Sequence, residues 1–296
     1  MISLPALTAL FGAVVGFFLL DPKALPGLWH VCLTARVLNI LVKHLVWHRN
    51  SALVASSSTV SSAPSTIFRP RYTRSYCSIA ELDFNLHKSN STFYADLDVS
   101  RIELLVILFK DAITPLSPRT TLAPESVYSR RNRRRQLIAA LGGVVCLFRR
   151  EIKPYQRYDL VTRVLAWDDK WMYIVSYFLK PRGRHETEKM QDRILASAVS
   201  RYVFKQGRQT MQPAEVFRNL RLLADEDTTA ENVAATVAPN RLPLPCQDLV
   251  DGAAPFGGEQ DPWTWAHVEM ERQRGLAIAR HMGGFDGLQE SGASLR

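Results

Sequence analysis

The chain has 296 residues, 47% of them apolar, 22% charged and 9% aromatic. That composition can bury a real core, and it excludes both an intrinsically disordered protein and a small disulfide scaffold. The net charge of +9 is spread unevenly, with four basic and one acidic residue in 1–60, 28 and 15 in 61–224, and five and 12 in 225–296. One ordinary-sized basic domain with an extension at each end fits this distribution. Cys32, Cys77, Cys146 and Cys246 lie far apart with no C-x-x-C pair, which speaks against a zinc ribbon and a redox motif and favours a reducing compartment.

From Ile2 to Leu20 the chain has no charge, and 19 residues at about 1.5 Å each would cover most of a hydrocarbon core about 30 Å thick. The expected reading is an uncleaved membrane-spanning anchor. A cleaved signal peptide and a buried core helix are the alternatives, although the run has no basic start and Phe17-Phe18-Leu19-Leu20 offers no small-residue cleavage site. Beyond Pro22 and Pro26, Leu28, Val31, Leu38, Leu41, Leu45 and Val46 recur at near-helical spacing among Arg36, Lys43 and Arg49. Two readings fit this segment: a basic amphipathic helix on a membrane surface, or a helix packed on the globular domain. His44 and His48 are four apart, but no third ligand accompanies them, so no metal site is expected. Basic residues follow the apolar run and none precede it, so a single-pass anchor with the remainder in the cytosol is expected, at the endoplasmic reticulum membrane. Residues 1–50 thus form the anchor and amphipathic helix, and the Ser/Ala/Thr-rich stretch within 51–71 reads as a linker.

Residues 75–84 have strand character. A long apolar helix is predicted over 91–110, with Ser91 as N-cap and Tyr94, Leu97, Arg101, Leu104, Leu105 and Leu108 on one face. Strands follow at 142–152, 157–167, 171–179 and 195–207, the first three separated by short turns, which is the spacing of an antiparallel meander. Gly142-Gly143 reads as a turn or bulge. The class is α+β, with an antiparallel sheet wrapped around a long central helix over residues 72–224. Free sheet edges make an edge-to-edge homodimer the expected assembly. Residues 225–296 form an acidic tail ending in a helix bracketed by Asp261-Pro262 and Gly283-Gly284. Its face of Trp263, His267, Met270, Arg274 and Ile278 is expected to dock on the basic domain.

Between the first strand and the long helix runs Asp83-Phe84-Asn85-Leu86-His87-Lys88-Ser89-Asn90-Ser91-Thr92-Phe93-Tyr94. A carboxylate just ahead of a helix can act as base or nucleophile, while the first-turn N–H groups face the negative charge that develops on a carbonyl. The bland reading is that Asp83, Asn85 and His87 only hydrogen-bond the loop and cap the helix. This D-x-N-x-H run, with the order of elements around it, resembles the hotdog-fold thioesterases. Within them it is similar to a membrane-tethered group that includes mammalian thioesterase superfamily member 6 and fungal proteins often encoded beside polyketide or peptide synthases.

The resemblance implies a hotdog fold with hydrolysis of acyl-CoA or acyl-carrier-protein thioesters and no cofactor. It implies Asp83 as the motif carboxylate, Asn85 and His87 as its partners in catalysis, and Asn90, Ser91 and Tyr94 as substrate-binding positions. Arg130, Arg131, Arg133, Arg134 and Arg135, with Arg149 and Arg150 nearby in sequence, form the densest basic cluster, read either as a binding surface for coenzyme A phosphates, an acidic carrier protein or anionic lipid, or as a solvated loop. No recognition motif or aromatic platform accompanies that charge, so nucleic acid is not an expected partner. A non-catalytic acyl-binding protein on the same scaffold is the rival. No G-x-S-x-G, P-loop, G-x-G-x-x-G or H-E-x-x-H motif supplies another chemistry.

Overall fold

A computed structural model describes residues 4–53, 67–113, 137–181, 190–220, 222–223 and 265–282. The expectations for the arginine run 130–135, for Cys246 and for the brackets of the terminal helix lie outside these residues, as do those for the side chains of His44, His48 and His267.

The centre is a long helix, α3 (Asn90–Ile113), cradled by strands β1 (Arg71–Tyr76), β2 (Leu137–Phe148), β3 (Arg157–Trp167), β4 (Met172–Leu179) and β5 (Ile194–Gln206). They pair antiparallel throughout in the order β1-β3-β4-β5-β2, and the short β6 (Gln209–Met211) adds to β5. A register shift between Leu141 and Gly143 makes the Gly-Gly pair a bulge. A Cβ on Gly142 would fall 2.3 Å from the Trp171 ring. Such bulges help curl a sheet around its contents. The first strand is earlier than its sequence suggests: β1 stops at Tyr76 because Ser78 and Glu81 form a reciprocal capping box over a 3₁₀ turn at Ile79–Glu81.

Alternating residues of β4 (Met172, Ile174, Ser176, Phe178) and β5 (Ala196, Ala198, Ser200, Tyr202, Phe204) are buried, and so are Phe93, Leu97, Ser100, Arg101, Leu104 and Leu108 of α3. The core divides into two apolar clusters. One gathers Phe93, Leu97, Tyr158 and Phe178 near the start of α3, and the other gathers Leu104, Leu108, Trp167, Phe204 and Phe217 near its end. A polar waist accompanies them: Ser100 bonds Thr162 (2.7 Å), Thr162 pairs with Ser176 (2.8 Å), and fully buried Arg101 donates to Ser200 (2.7 Å) and to Asp98. Ile67 and Phe68, at the end of the Ser/Ala-rich stretch, are buried in the second cluster, with Phe68 stacked on Trp167. The small helix α5 (Pro213–Asn219) closes that end with Val216 and Phe217; α4 (Met190–Arg193) leads into β5.

At the N-terminus α1 (Leu4–Leu20) and α2 (Leu28–Leu53) flank a short turn at Pro22–Ala24. Among the described residues no helix is long and apolar enough to cross a membrane. The expected spanning helix over residues 2–20 is therefore not met: α1 has 17 residues, about 26 Å at about 1.5 Å each. Its continuation is bent away at Asp21, which is itself buried in the domain. Helix α2 packs along α3, joined by Trp29 Nε1 to the Ala95 carbonyl (3.1 Å) and by Arg36 to Glu103 (3.2 Å).

The last helix, α6 (Trp265–Ala279), docks on β3 from the side opposite α3. Glu271 pairs with buried Arg163 at 2.9 Å, Arg272 donates to the Trp167 carbonyl, and Leu276, Ala279 and Met282 cover Leu165, Tyr173 and Val175. The docked face is rotated from the one its apolar spacing predicts: Ile278 is exposed, and the contact centres on Gly275. A Cβ at Gly275 would lie 2.1 Å from the Leu165 carbonyl oxygen, so glycine lets the helix axis approach the sheet. An apolar count along the helix cannot see this.

Candidate active site

The motif residues form a tight reverse turn at the entrance of α3. Asp83 N donates to His87 O (2.9 Å), Leu86 N donates to Asp83 O (3.1 Å), and Leu82 pairs with Lys88 across the base. Leu86 takes the left-handed region at φ 60° to close the turn. Asp83 Oδ1 accepts from Asn85 N at 2.9 Å, and Oδ2 lies 3.3 Å from Nδ1 of His87. Both ends of the turn are tied down, Lys88 N to Ile152 O and Ser89 N to Glu81 O, each at 2.8 Å.

The helix begins at Asn90, one residue ahead of the predicted N-cap Ser91. Thr92 N donates to Ser89 O and the Ser89 and Ser91 hydroxyls pair at 3.0 Å. An α-helix supplies no intrahelical acceptor for its first N–H groups, so the backbone here is an anion-facing end.

An open cleft of about 230 Å³ lies beside this turn. It is lined by His87, Lys88, Asn90 and Phe93 around the start of α3, and by Phe148, Arg149, Arg150, Glu151 and Ile152 at and just beyond the end of β2. Phe93 and Phe148 meet edge to face at 5.0 Å. Asp83 does not line the cleft but touches His87, which does; its side chain is 24% exposed. An imidazole that gives Nδ1–H to a carboxylate keeps Nε2, on the opposite edge of the ring, as a proton acceptor.

Among the other expected residues, Asn90 lines the cleft, Ser91 stands next to it on the first turn, and Asn85 and Tyr94 do not line it. Asn85 enters through its backbone amide, as the donor to Asp83. Arg149 and Arg150 are the arginines that line the cleft among the described residues, both with backbone N–H on Leu195 O at 2.9 Å, and the Arg150 guanidinium also donates to the Asp192 carbonyl. Their signal in the sequence was the charged pair directly after an apolar strand. The sequence reading missed a buried layer beneath the turn, in which Lys88 Nζ lies between Glu81 (3.0 Å) and Asp96 (2.9 Å).

Burial pushes the Cys77 thiol up to about 11, and Cys146 likewise, so neither is a ready thiolate nucleophile near neutral pH. Among the described residues no group of three His, Cys, Asp or Glu side chains is placed to hold a metal ion.

A curled antiparallel sheet around one long helix, with a carboxylate–imidazole pair at the helix entrance, defines a hotdog domain. Residues 77–221 match the family model of the thioesterase-like superfamily. Probable thioesterase atnL of Emericella nidulans is 37% identical over 95% of this chain and 86% of its own length. Thioesterase poxG of Penicillium oxalicum is 33% identical over 94% of this chain and 84% of its own. Among solved structures, the YbaW probable thioesterase from Escherichia coli aligns with 52% of this chain and 98% of its own at 10% identity and a TM-score of 0.35. The chain belongs to the thioesterase-like superfamily, and it is a thioesterase.

Proposed function

We propose that the protein hydrolyses acyl thioesters of coenzyme A or of an acyl carrier protein, with Asp83 and His87 as the reacting pair. The observation that carries this reading is the 3.3 Å contact between Asp83 Oδ2 and His87 Nδ1 at the mouth of a cleft that also holds the start of α3. Asp83 holds the imidazole with Nε2 free to take a proton from an attacking water. The N–H groups at Asn90 and Ser91 face the oxyanion that forms on the thioester carbonyl. Collapse of the tetrahedral intermediate breaks the C–S bond, the thiol leaves with a proton returned through His87, and the carboxylic acid is released. Arg149 and Arg150 supply cations for phosphate groups of the carrier; the same role was expected of Arg130, Arg131, Arg133, Arg134 and Arg135.

In this reading α1 seats in one leaflet of a membrane with the hotdog domain on the cytosolic side. Its support is the exposure of an uncharged helix along nearly its whole length, from Leu7 to Leu20. Two copies associate through β2, which among the described strands is bonded on one side only, to β5, and which exposes Ile138, Leu141, Leu147 and Phe148. The biological role is release or editing of intermediates in polyketide or peptide secondary metabolism, supported by the resemblance to fungal proteins encoded beside such synthases.

The test is thiol release by the full chain from a panel of acyl-coenzyme A and acyl-carrier-protein thioesters. Turnover of at least one class is expected. Tight acyl binding without thiol release on any of them would replace hydrolysis by carriage.

A further inference from the structure

Beneath the Asp83–His87 turn four charges alternate in sign, and one of them, Lys88, also lines the cleft. Lys88 Nζ lies 3.0 Å from Glu81 and 2.9 Å from Asp96. The fourth member comes from the far side of the chain: Lys23, in the turn between α1 and α2, reaches Glu81 at 2.7 Å and Asp96 at 3.1 Å. Its ammonium also donates to Ser75 Oγ (3.1 Å) and to the Tyr76 carbonyl (3.0 Å), and Tyr158 Oη closes over Asp96. Burial alone would lower the pKa of Lys23, but Asp96 and Glu81 beside it outweigh that and raise it, so the ammonium stays charged through the neutral range.

Two residues back, fully buried Asp21 fixes the turn that carries Lys23. Its carboxylate accepts from Ser78 Oγ (2.7 Å), Ile79 N (2.8 Å) and Tyr76 Oη (2.9 Å).

The placement of these charges in the chain gives them their consequence. Glu81 and Lys88 bracket residues 82–87, which are the motif turn itself, and Asp96 lies in the second turn of α3. The cluster therefore sets the spacing between the turn that holds Asp83 and His87 and the helix end that faces the oxyanion. Lys88, 2% exposed, needs both carboxylates, and those two carboxylates need a second cation to balance them.

We infer that Lys23 is a positioning residue for hydrolysis: by closing the Lys23–Glu81–Lys88–Asp96 cluster it holds the Asp83–His87 turn against the start of α3. The inference rests on the reading of Asp83 and His87 as the reacting pair. It makes the α1–α2 segment a part of the catalytic unit and not a detachable tether.

The experiment uses the full chain and compares wild type with Lys23→Met and Lys23→Arg, each assayed below its own unfolding temperature. Two quantities are read: kcat and KM on a thioester the wild type hydrolyses, and amide hydrogen exchange of residues 82–88 against that of the β3–β4 ladder. Lys23→Met is expected to lower kcat by about tenfold or more with KM within about twofold. The Asp83, Leu86 and Lys88 amides should exchange faster while the β3–β4 ladder is unchanged, and Lys23→Arg should restore most of kcat. A folded Lys23→Met chain with wild-type kcat, or with a lower kcat but wild-type exchange in the turn, overturns the inference.

Should Lys23→Met fail to fold, Asp21→Asn carries the test, because it loosens the turn bearing Lys23 and leaves the four charges in place. It is expected to show the same kcat-only loss and faster loop exchange, and wild-type values for both overturn the inference. Asp83→Asn separates the two claims. If it retains turnover while Lys23→Met still frees the turn, the catalytic assignment fails and the clamp stands.

Discussion

At the scale of single residues, the site depends on charges that are buried in pairs. Burial by itself would raise the pKa of Asp96, but Lys88 and Lys23 against it, with the Tyr158 hydroxyl, hold its carboxyl below the ordinary carboxylate range. A depressed folded pKa stabilises the fold above the unfolded value of about 3.9 and is lost as pH falls through the folded value. Asp96→Asn leaves buried Lys88 and partly exposed Lys23 with Glu81 alone and should cost about 3–5 kcal/mol near neutrality. Followed by thermal unfolding, the gap between wild type and Asp96→Asn should narrow below about pH 4. A gap unchanged down to about pH 2 would remove Asp96 from the account. The cleft arginines make a different prediction. With Arg149 and Arg150 both replaced by Gln, KM for a phosphate-bearing thioester should rise about tenfold, kcat should change little, and the salt dependence of kcat/KM should flatten. An unaltered KM would return the pair to solvent.

At the scale of elements, what could be read from the sequence followed local pattern, and what could not depended on contacts between distant segments. The β3–β4 hairpin was legible because its turn is short and its strands are rich in β-branched and aromatic residues; β2, which its short spacing to β3 placed beside that strand, instead pairs with β5 at the far edge of the sheet. Also legible was α3, whose buried stripe runs from Phe93 to Phe109 with Asp96, Ser100 and Arg101 interrupting its apolar residues. The D-x-N-x-H turn was legible as a motif, but its working geometry was not: Asp83 meets the cleft through His87, and Lys88 looked like any surface lysine until Glu81 and Asp96 enclosed it. Lys23 lies 58 residues before Glu81, and no local rule links them. The docked face of α6 was missed for a related reason, since close packing at Gly275 and not apolar spacing sets its rotation. Gly275→Ala tests this by sign. Alanine favours an exposed helix over glycine by about 1 kcal/mol, yet here its Cβ would meet the Leu165 carbonyl, and overpacking costs about 1–3 kcal/mol. A lower unfolding temperature is expected, and a higher one would contradict the packing of α6 on β3.

At the scale of the whole molecule, the hotdog domain, the terminal helix on its outer face and the N-terminal helix pair act as one body, with the site set where loop, helix end and β2 converge. This body exposes an uncharged α1 and, among the described strands, an edge strand β2 that is bonded on one side only. Flotation of the full chain with phospholipid vesicles should be lost when Phe11, Phe17 and Leu20 are all replaced by Ser, and retention would contradict membrane seating. The account's central claim remains chemical: a thioester is hydrolysed at the Asp83–His87 pair. The direct measurement is steady-state turnover of one hydrolysed thioester by wild type and by Asp83→Asn, with unfolding temperature recorded for both. Asp83→Asn should fold and bind substrate with kcat lower by at least about 100-fold, or about 2.7 kcal/mol of barrier. Wild-type turnover by a folded Asp83→Asn chain would contradict it.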